Sequence, residues 1–312
     1  MERKLLVCRH AGHDALKNLA GEKWLMDKLE EGCDILYLWQ NDNCVVIGRN
    51  QNVWSEVNVG AAMEHGTSIV RRLSGGGAVY HDLGNLNFTF ITQLEHFDIQ
   101  SQTEMVLEAV RSLGIEAEMN GRNDLCTLGR KFSGHSYHIE GDRAFHNGTI
   151  LLDADAGIMA EVLNPERSKL LSKGVESVRS RTVNLCGLIP GLNPETVSDA
   201  LEEAFKSHYA SFGYTVIKED WHYSGLLARF SSREWIYNKR RNAGTAIRAR
   251  FPWGGVEIYP EWTDDVISDC AVYTDALDHD AALKARAALI GRRRDEIGNL
   301  NEDEILKGLF HA

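Results

Sequence analysis

The stretch RRLSGGGAVYHDLGNLNFTF, residues 71–90, places two arginines and a serine before three consecutive glycines. A histidine–aspartate pair and an alternating apolar run follow. Two familiar phosphate loops do not fit. The P-loop needs a lysine and a hydroxyl residue after its last glycine, and neither follows Gly77. The dinucleotide fingerprint needs a further glycine that opens a helix, but Gly75, Gly76 and Gly77 lead to Tyr80 and a turn-and-strand pattern. Three glycines still allow positive φ and let an anion approach backbone N–H groups with no Cβ in the way. Arg71 and Arg72 add charge, and Ser74 adds a hydroxyl. Alone, the stretch reads equally well as a glycine-rich hairpin turn with solvated arginines.

Outward from it, residues 14–30 carry Leu16, Leu19, Ala20, Trp24, Leu25 and Leu29 at helical spacing, which predicts an amphipathic helix. The runs 34–40 and 44–49 are β-rich and separated by Asn41-Asp42-Asn43, a hairpin signal. Residues 85–92 read as a strand, and 103–114 as a helix ended by Gly114. Short strand candidates continue to residue 153. A long helix is expected over 193–213, entered through Asn193-Pro194 and stopped by Gly213. The polar run Lys239–Gly244 reads as a linker. Beyond it, strand patterns at 245–251, 256–260 and 265–274 and a helix over 280–292 suggest a small α+β module. The expected domains are therefore 1–244 and 247–312.

A chain of 312 residues can build such cores without disulfide or metal staples. Its 34 basic and 45 acidic residues give a net charge of −11, which argues against a general nucleic-acid binder. No run approaches the ~20 apolar residues of a membrane span. The opening MERKLLVCRHAGHD turns polar after four apolar residues, so no secretory signal is expected. The six cysteines are irregularly spaced with no C-x-x-C pair, as in a cytoplasmic protein with reduced thiols. His135-x-x-His138 lacks the H-E-x-x-H pattern and lies on a strand pattern, so this pair is not expected to bind metal. The Arg292-Arg293-Arg294 run reads as the solvated end of a helix.

Three further stretches change the reading of the glycines. They are GRNDLCTLGRKFSGHSY (121–137), FHNGTILLDAD (145–155) and SKGVESVRSR (172–181). Together with 71–82, the helix around Glu22, VVIGRNQNVWSE (45–56) and RFPWGGVE (250–257), they resemble the lipoate–protein ligase A family in order and spacing, over nearly the whole chain. The resemblance implies an α+β large domain of the biotin/lipoate ligase type, with mixed sheets flanked by helices, plus a small α+β C-terminal domain. It implies that lipoate attacks the α-phosphorus of ATP, with Mg2+, to give lipoyl-adenylate and pyrophosphate. An acceptor lysine on an apo lipoyl domain then takes the lipoyl group and releases AMP. The implied acceptors are 2-oxoacid dehydrogenase E2 subunits and the glycine-cleavage H protein, with no nucleic acid and no membrane.

By the same resemblance, Lys131 is the catalytic lysine, an electrostatic catalyst that bridges the lipoate carboxyl group and the α-phosphate. ATP and the adenylate fall to Arg72, Ser74, Gly75, Gly76, Gly77, Ala78, Val79, Tyr80, Asn123, Asp124, Lys131, Lys173 and Arg179. Lipoate falls to Lys131, Glu22, Arg72, His81, Ser133, Gly134, His146 and Gly148. Asp124 is the candidate Mg2+ contact, with a structural Asx-turn as its other reading. His81 either orients the glycine loop or touches the ligand. Lys173 and Arg179 belong to a loop expected to close over the adenylate. Four departures stand out: Asn147 where the family usually has a second histidine, Phe132 where a β-branched residue is usual, a short 124–131 segment and a compact last domain. Two other readings remain. One is an octanoyl or lipoyl transferase of the same fold that uses Cys126 as nucleophile without ATP. The other is a non-catalytic binder of lipoate or a lipoyl domain.

Overall fold

The computed structural model describes residues 3–121, 123–163, 181–209, 214–216, 223–237 and 245–297. The chain opens with β1 (Lys4–Arg9), α1 (Ala15–Asp27) and β2 (Cys33–Trp39), with β1 and β2 parallel, a βαβ unit. β2 pairs antiparallel with β6 (Asn85–Gln93), and β6 with β10 (Arg143–Leu151). The antiparallel run continues through β9 (Arg130–Glu140), β8 (Asp124–Thr127) and β7 (Glu118–Asn120). β11 (Tyr214–Val216) closes the other edge beside β1, giving one mixed eight-stranded sheet.

A second sheet has three strands in the order β4-β3-β5: β4 (Ser68–Arg71), β3 (Cys44–Ile47) and β5 (Val79–His81). It packs with α2 (Val53–Glu56), α3 (Val59–Glu64) and α5 (Ala156–Val162). The glycine loop is the connection from β4 to β5. The small C-terminal part is an antiparallel sheet of β12 (Ile247–Phe251), β13 (Gly254–Thr263) and β14 (Val266–Thr274), covered by α9 (Ala281–Leu289).

The two faces of the large sheet carry different covers. One packs Leu36, Leu38, Phe88 and Phe90 against α4 (Ile99–Ser112) and α6 (Pro194–His208). The other packs Ile35, Tyr37, Trp39, Ile91 and Phe145 against α1 and α7 (Ser224–Phe230). Successive side chains of a strand point to opposite faces, so one segment supplies both cores. Among the described residues no helix is long and apolar enough to cross a membrane.

Three local expectations differ from the structure. β2 and β3 are not a hairpin. β2 is bonded on both edges, to β1 and β6, while β3 pairs with β4 and β5 in the second sheet. Asn41 in the connection is fully buried, accepting from Asn18 Nδ2 at 2.9 Å and facing His81 Nδ1 at 3.1 Å, so it marks a crossing between sheets. α1 is not amphipathic, because Asn18, Glu22 and Lys23 are buried along with its apolar residues. α4 begins at Ile99, before the apolar period, because the Asp98 carboxylate caps the N–H groups of Gln100 and Ser101. The expected stop of α6 at Gly213 and the linker Lys239–Gly244 lie outside the described residues.

Candidate active site

Two buried arginines shape the glycine loop. Arg72 donates to the carbonyls of Gly75 (2.6 Å), Gly77 (2.8 Å) and Val46 (3.1 Å), and to Ser74 Oγ (3.1 Å). Arg71 donates to the carbonyls of Gly48, Arg49, Gln51, Trp235 and Ile236. Burial pulls both guanidinium groups down to about 10, which leaves them charged at neutral pH. Their donors are thus turned on the protein's own carbonyls. Arg71 ties the loop base to α8 (Arg233–Tyr237), a role that no local sequence pattern indicates.

At Gly76, φ is +86°, a left-handed conformation that favours glycine. A Cβ on Gly75 would collide with the backbone of Ala276 and Leu277, and Gly76 N donates to Ala276 O at 2.8 Å. The group that approaches the loop backbone in this arrangement is therefore the segment after β14. Gly77 is exposed, with open space around it, and Ala78 and Val79 are half-buried. Tyr80 is buried in the core of the second sheet.

Beneath the loop runs a chain of hydrogen bonds that links five elements. Ser74 Oγ meets Ser136 Oγ at 2.8 Å, and Ser136 Oγ donates to Asn147 Oδ1 at 2.6 Å. Asn147 Nδ2 donates to Glu22 Oε1 at 2.9 Å, and Thr89 Oγ1 donates to the same oxygen at 2.8 Å. Trp39 Nε1 donates to Thr89 Oγ1 at 3.2 Å. Glu22 is only 1 % exposed. Burial raises its carboxyl to about 7 against the opposing effect of Asn147, Thr89 and the Arg72 charge. His81 is buried beside Asn41 and edge-on to Trp39, and its Nε2 has no partner. Burial, with the Arg72 charge, holds its ring down at about 3, so it is neutral.

Lys131 lies at the same face. A register shift at Leu125/Cys126 marks the β8–β9 pairing beside it. Its Nζ lies 2.7 Å from where a Gly134 Cβ would stand, so the bare Cα of Gly134 makes room for the ammonium. Lys131 Nζ pairs with Asp124 Oδ1 at 2.7 Å, and its side chain is 34 % exposed. Gly76 approaches the same strand at Ser136, two residues beyond Gly134. Asn123 Nδ2 donates to His135 O at 3.0 Å, and its carbonyl accepts from His135 N at 2.9 Å, so Asn123 fixes the β8–β9 pairing.

Three predicted lipoate contacts face the other way. Ser133 Oγ meets His135 Nε2, and His135 Nδ1 meets His146 Nε2, each at 3.0 Å. His135 and His146 pack edge-on to Phe88 in the α4–α6 core. A Cβ on Gly148 would collide with the Phe88 ring. The structure therefore gathers Glu22, Arg72, Ser74, His81, Asp124, Lys131 and Gly134 on one face, and places Ser133, His146 and Gly148 on the opposite one. Lys173 and Arg179 lie outside the described residues. Sequence reasoning missed Trp39, Thr89 and Ser136. Strand parity carried the only signal for Ser136, which stands two positions from Gly134. Cys126 is buried, and burial raises its thiol above the ordinary value.

A cavity of about 610 Å³ lies elsewhere, between α7–α8 and the small domain, lined by Arg229, Trp235, Tyr273 and Arg286 among others. It includes neither Lys131 nor the glycine loop.

Residues 14–206 match the lipoyl protein ligase A/B catalytic domain, and residues 244–303 match the bacterial lipoate protein ligase C-terminus. The chain belongs to this lipoyl protein ligase family. Among solved structures it is similar to Plasmodium falciparum LipL1 in complex with lipoate, at 26 % identity and TM-score 0.79, over 93 % of this chain and 90 % of that one. It is also similar to the bipartite lipoate protein ligase from Thermoplasma acidophilum, described with its E2 lipoyl domain, at 25 % identity and TM-score 0.65, over 77 % and 98 % of the two chains. A lipoate–protein ligase A bound with ATP matches at 25 % identity and TM-score 0.62, over 76 % and 99 %. The fold is of the biotin/lipoate ligase type, with mixed sheets flanked by helices and a small antiparallel-sheet domain at the C-terminal side.

Proposed function

We propose that the chain is an ATP-dependent lipoate–protein ligase. It activates lipoate as lipoyl-adenylate with release of pyrophosphate, and transfers the lipoyl group to a lysine of an apo lipoyl domain with release of AMP. The observation that carries this reading is Lys131, held over Gly134 on the face that also receives the glycine loop. A single ammonium there can follow negative charge from the lipoate carboxylate to the α-phosphate, and positioned cations are the main catalytic device in such sites. The polar chain from Ser74 to Glu22 walls the acyl side. Its carboxyl, raised to about 7 by burial, ionises less readily than an ordinary carboxylate, which suits an apolar substrate better than a bare charge.

Arg72 acts by holding the loop carbonyls, so that loop N–H groups face the phosphates. Gly76 N is engaged by Ala276 O. A phosphate bound at that N–H requires this small-domain contact to open, which is how the small domain (from about residue 247) would serve adenylation. Lys173 and Arg179, outside the described residues, are proposed to shield the adenylate from water. Asp124 fits a Mg2+ that accompanies ATP. Its half-exposed carboxylate stands beside Lys131, and Mg2+ takes one or two carboxylates together with phosphate oxygens and water. The ion would supply neutralisation of phosphate charge. Acceptors are apo lipoyl domains of E2 subunits and the glycine-cleavage H protein, in the cytoplasm.

The test is turnover with lipoate, Mg2+-ATP and an apo lipoyl domain, followed by pyrophosphate release and the mass of the acceptor. Acyl transfer from a carrier protein without pyrophosphate release would move the assignment to the Cys126 transferase. Its buried thiol speaks against that reading, since the thiolate is the nucleophile. Tight binding without either reaction would leave a binding protein.

A further inference from the structure

β8 and β9 are joined by Leu128 and Gly129, with Thr127 and Arg130 paired across the turn. Both turn residues have positive φ, +52° for Leu128 and +69° for Gly129. This is the type I′ geometry, whose central positions favour Asn, Asp or Gly. A leucine there works against its own backbone preference. It gains no burial in return, because Leu128 is 72 % exposed. The fold therefore gives no reason for a leucine at this position.

The tip stands beside Lys131, which follows Arg130 directly. At ~3.3 Å per residue along a strand, Leu128 lies about 10 Å from it. Lys131 N donates to Arg181 O at 2.8 Å, so Arg181 adjoins the same strand end. Arg130 is half-buried and Arg181 exposed. Among the described residues, neither side chain has a carboxylate partner, whereas Asp124 is taken by Lys131. An apolar knob and two uncommitted cations thus border the mouth of the site.

We propose that Leu128, flanked by Arg130 and Arg181, is the docking point for the acceptor protein, a folded domain with an apolar side chain near its modified lysine and carboxylates around it. Because this docking rests on the proposed transfer step, the acceptor lysine must reach the acyl group held at Lys131. A domain of about 100 residues has a radius of gyration of about 13 Å, so with its lysine in the site it covers the hairpin tip. A central apolar anchor then supplies affinity, and the surrounding charges supply steering and register.

The experiment separates activation from transfer. Full-length protein is assayed for pyrophosphate release with lipoate and Mg2+-ATP alone, and for transfer from supplied lipoyl-adenylate to an apo E2 lipoyl domain. Leu128→Asn introduces a residue that tolerates positive φ, so the melting temperature should hold or rise. Its pyrophosphate release should be unchanged, while the KM for the acceptor rises at least ~10-fold. Leu128→Met should bring that KM back close to wild type. Arg130→Gln should raise it less and weaken its dependence on salt. Met63→Asn, at an exposed apolar residue on α3, should change neither step. A folded Leu128→Asn variant with a wild-type acceptor KM overturns the docking point and leaves the ligase reading standing. Loss of pyrophosphate release in that variant overturns it as well, since the residue would then act in activation. A wild-type protein that performs neither step sinks the ligase reading, and the docking point with it.

Discussion

The two faces of the eight-stranded sheet are made by the same strands and bury polar groups in opposite ways. On the α1 face, Ser136, Asn147, Thr89 and Glu22 pass hydrogen bonds from one element to the next, starting at the glycine loop. On the α4–α6 face, Ser133, His135 and His146 bond only to one another among aromatic rings, and His146 Nδ1 is left without a partner. The first network runs from the glycine loop to α1; the second is closed within a core. Residues one position apart on β9 and β10 therefore differ in kind, and being near a motif in sequence does not place a residue in the site.

The sharpest way to break this contrast is Lys131→Leu, which keeps bulk and removes charge. Adenylate formation should fall by on the order of 10²–10³ or more, with circular dichroism unchanged. A folded, fully active variant would remove the α1 face from the mechanism.

Next come two glycines that face opposite ways. Gly134→Ala places a methyl against the flexible end of Lys131, and misplacing that ammonium by ~1 Å is expected to reduce kcat by up to about 10²-fold. The melting temperature should stay near wild type. Gly148→Ala instead drives a methyl into the Phe88 ring and should cost about 1–3 kcal/mol of stability. Calorimetry and a pyrophosphate assay on both variants separate the faces, and an identical pattern for the two would collapse the distinction.

Two buried groups on opposite faces, Glu22 and His146, should titrate in opposite directions. Glu22, raised to about 7, adds stability below its unfolded value of 4.5 that is lost as pH climbs through 7. Glu22→Gln should flatten that alkaline-side loss, on the order of 1–3 kcal/mol. His146, held down at about 3 by burial, adds stability above its unfolded value of 6.5 that is lost as pH falls from there toward 3. His146→Phe should reduce the acid-side loss and leave the alkaline side unchanged, with His81 and His138 keeping part of the acid-side loss. Melting temperature against pH for both variants reads the two slopes, and a single shared slope would contradict the assignment. The smallest effect is expected from Cys126→Ala, with ligase turnover within about twofold of wild type, because the proposed ligase reaction uses no thioester; a folded variant that loses turnover would favour the transferase.

Much of this was legible in the sequence. The glycine run, Asn123-Asp124, Lys131 and Gly134 stand in short segments whose local order is a family signature, and the strand and helix periods placed most elements. What periodicity could not supply is the partner of each face. The hairpin signal at Asn41–Asn43 is a crossing between two sheets, because Asn41 is bonded to Asn18 and His81, which are distant in sequence. Asn147 reads in the sequence as one of four departures from the family pattern, yet only packing makes it the bridge between Ser136 and Glu22.

The sequence by itself determined the residue types and the local frame: a loop with no Cβ, a lysine five residues after a cysteine, and alternating strands. Tertiary structure alone decided which way each residue faces and what lies opposite. The register shift at β8–β9 and the empty Cα of Gly134 accompany Lys131's place on the site face, and the docking of the 275–280 segment brings His279 to His138 and Ala276 to Gly76. Such contacts join segments more than a hundred residues apart, and the free energy that selects them comes from burial and hydrogen bonding across the whole fold, which no local pattern records.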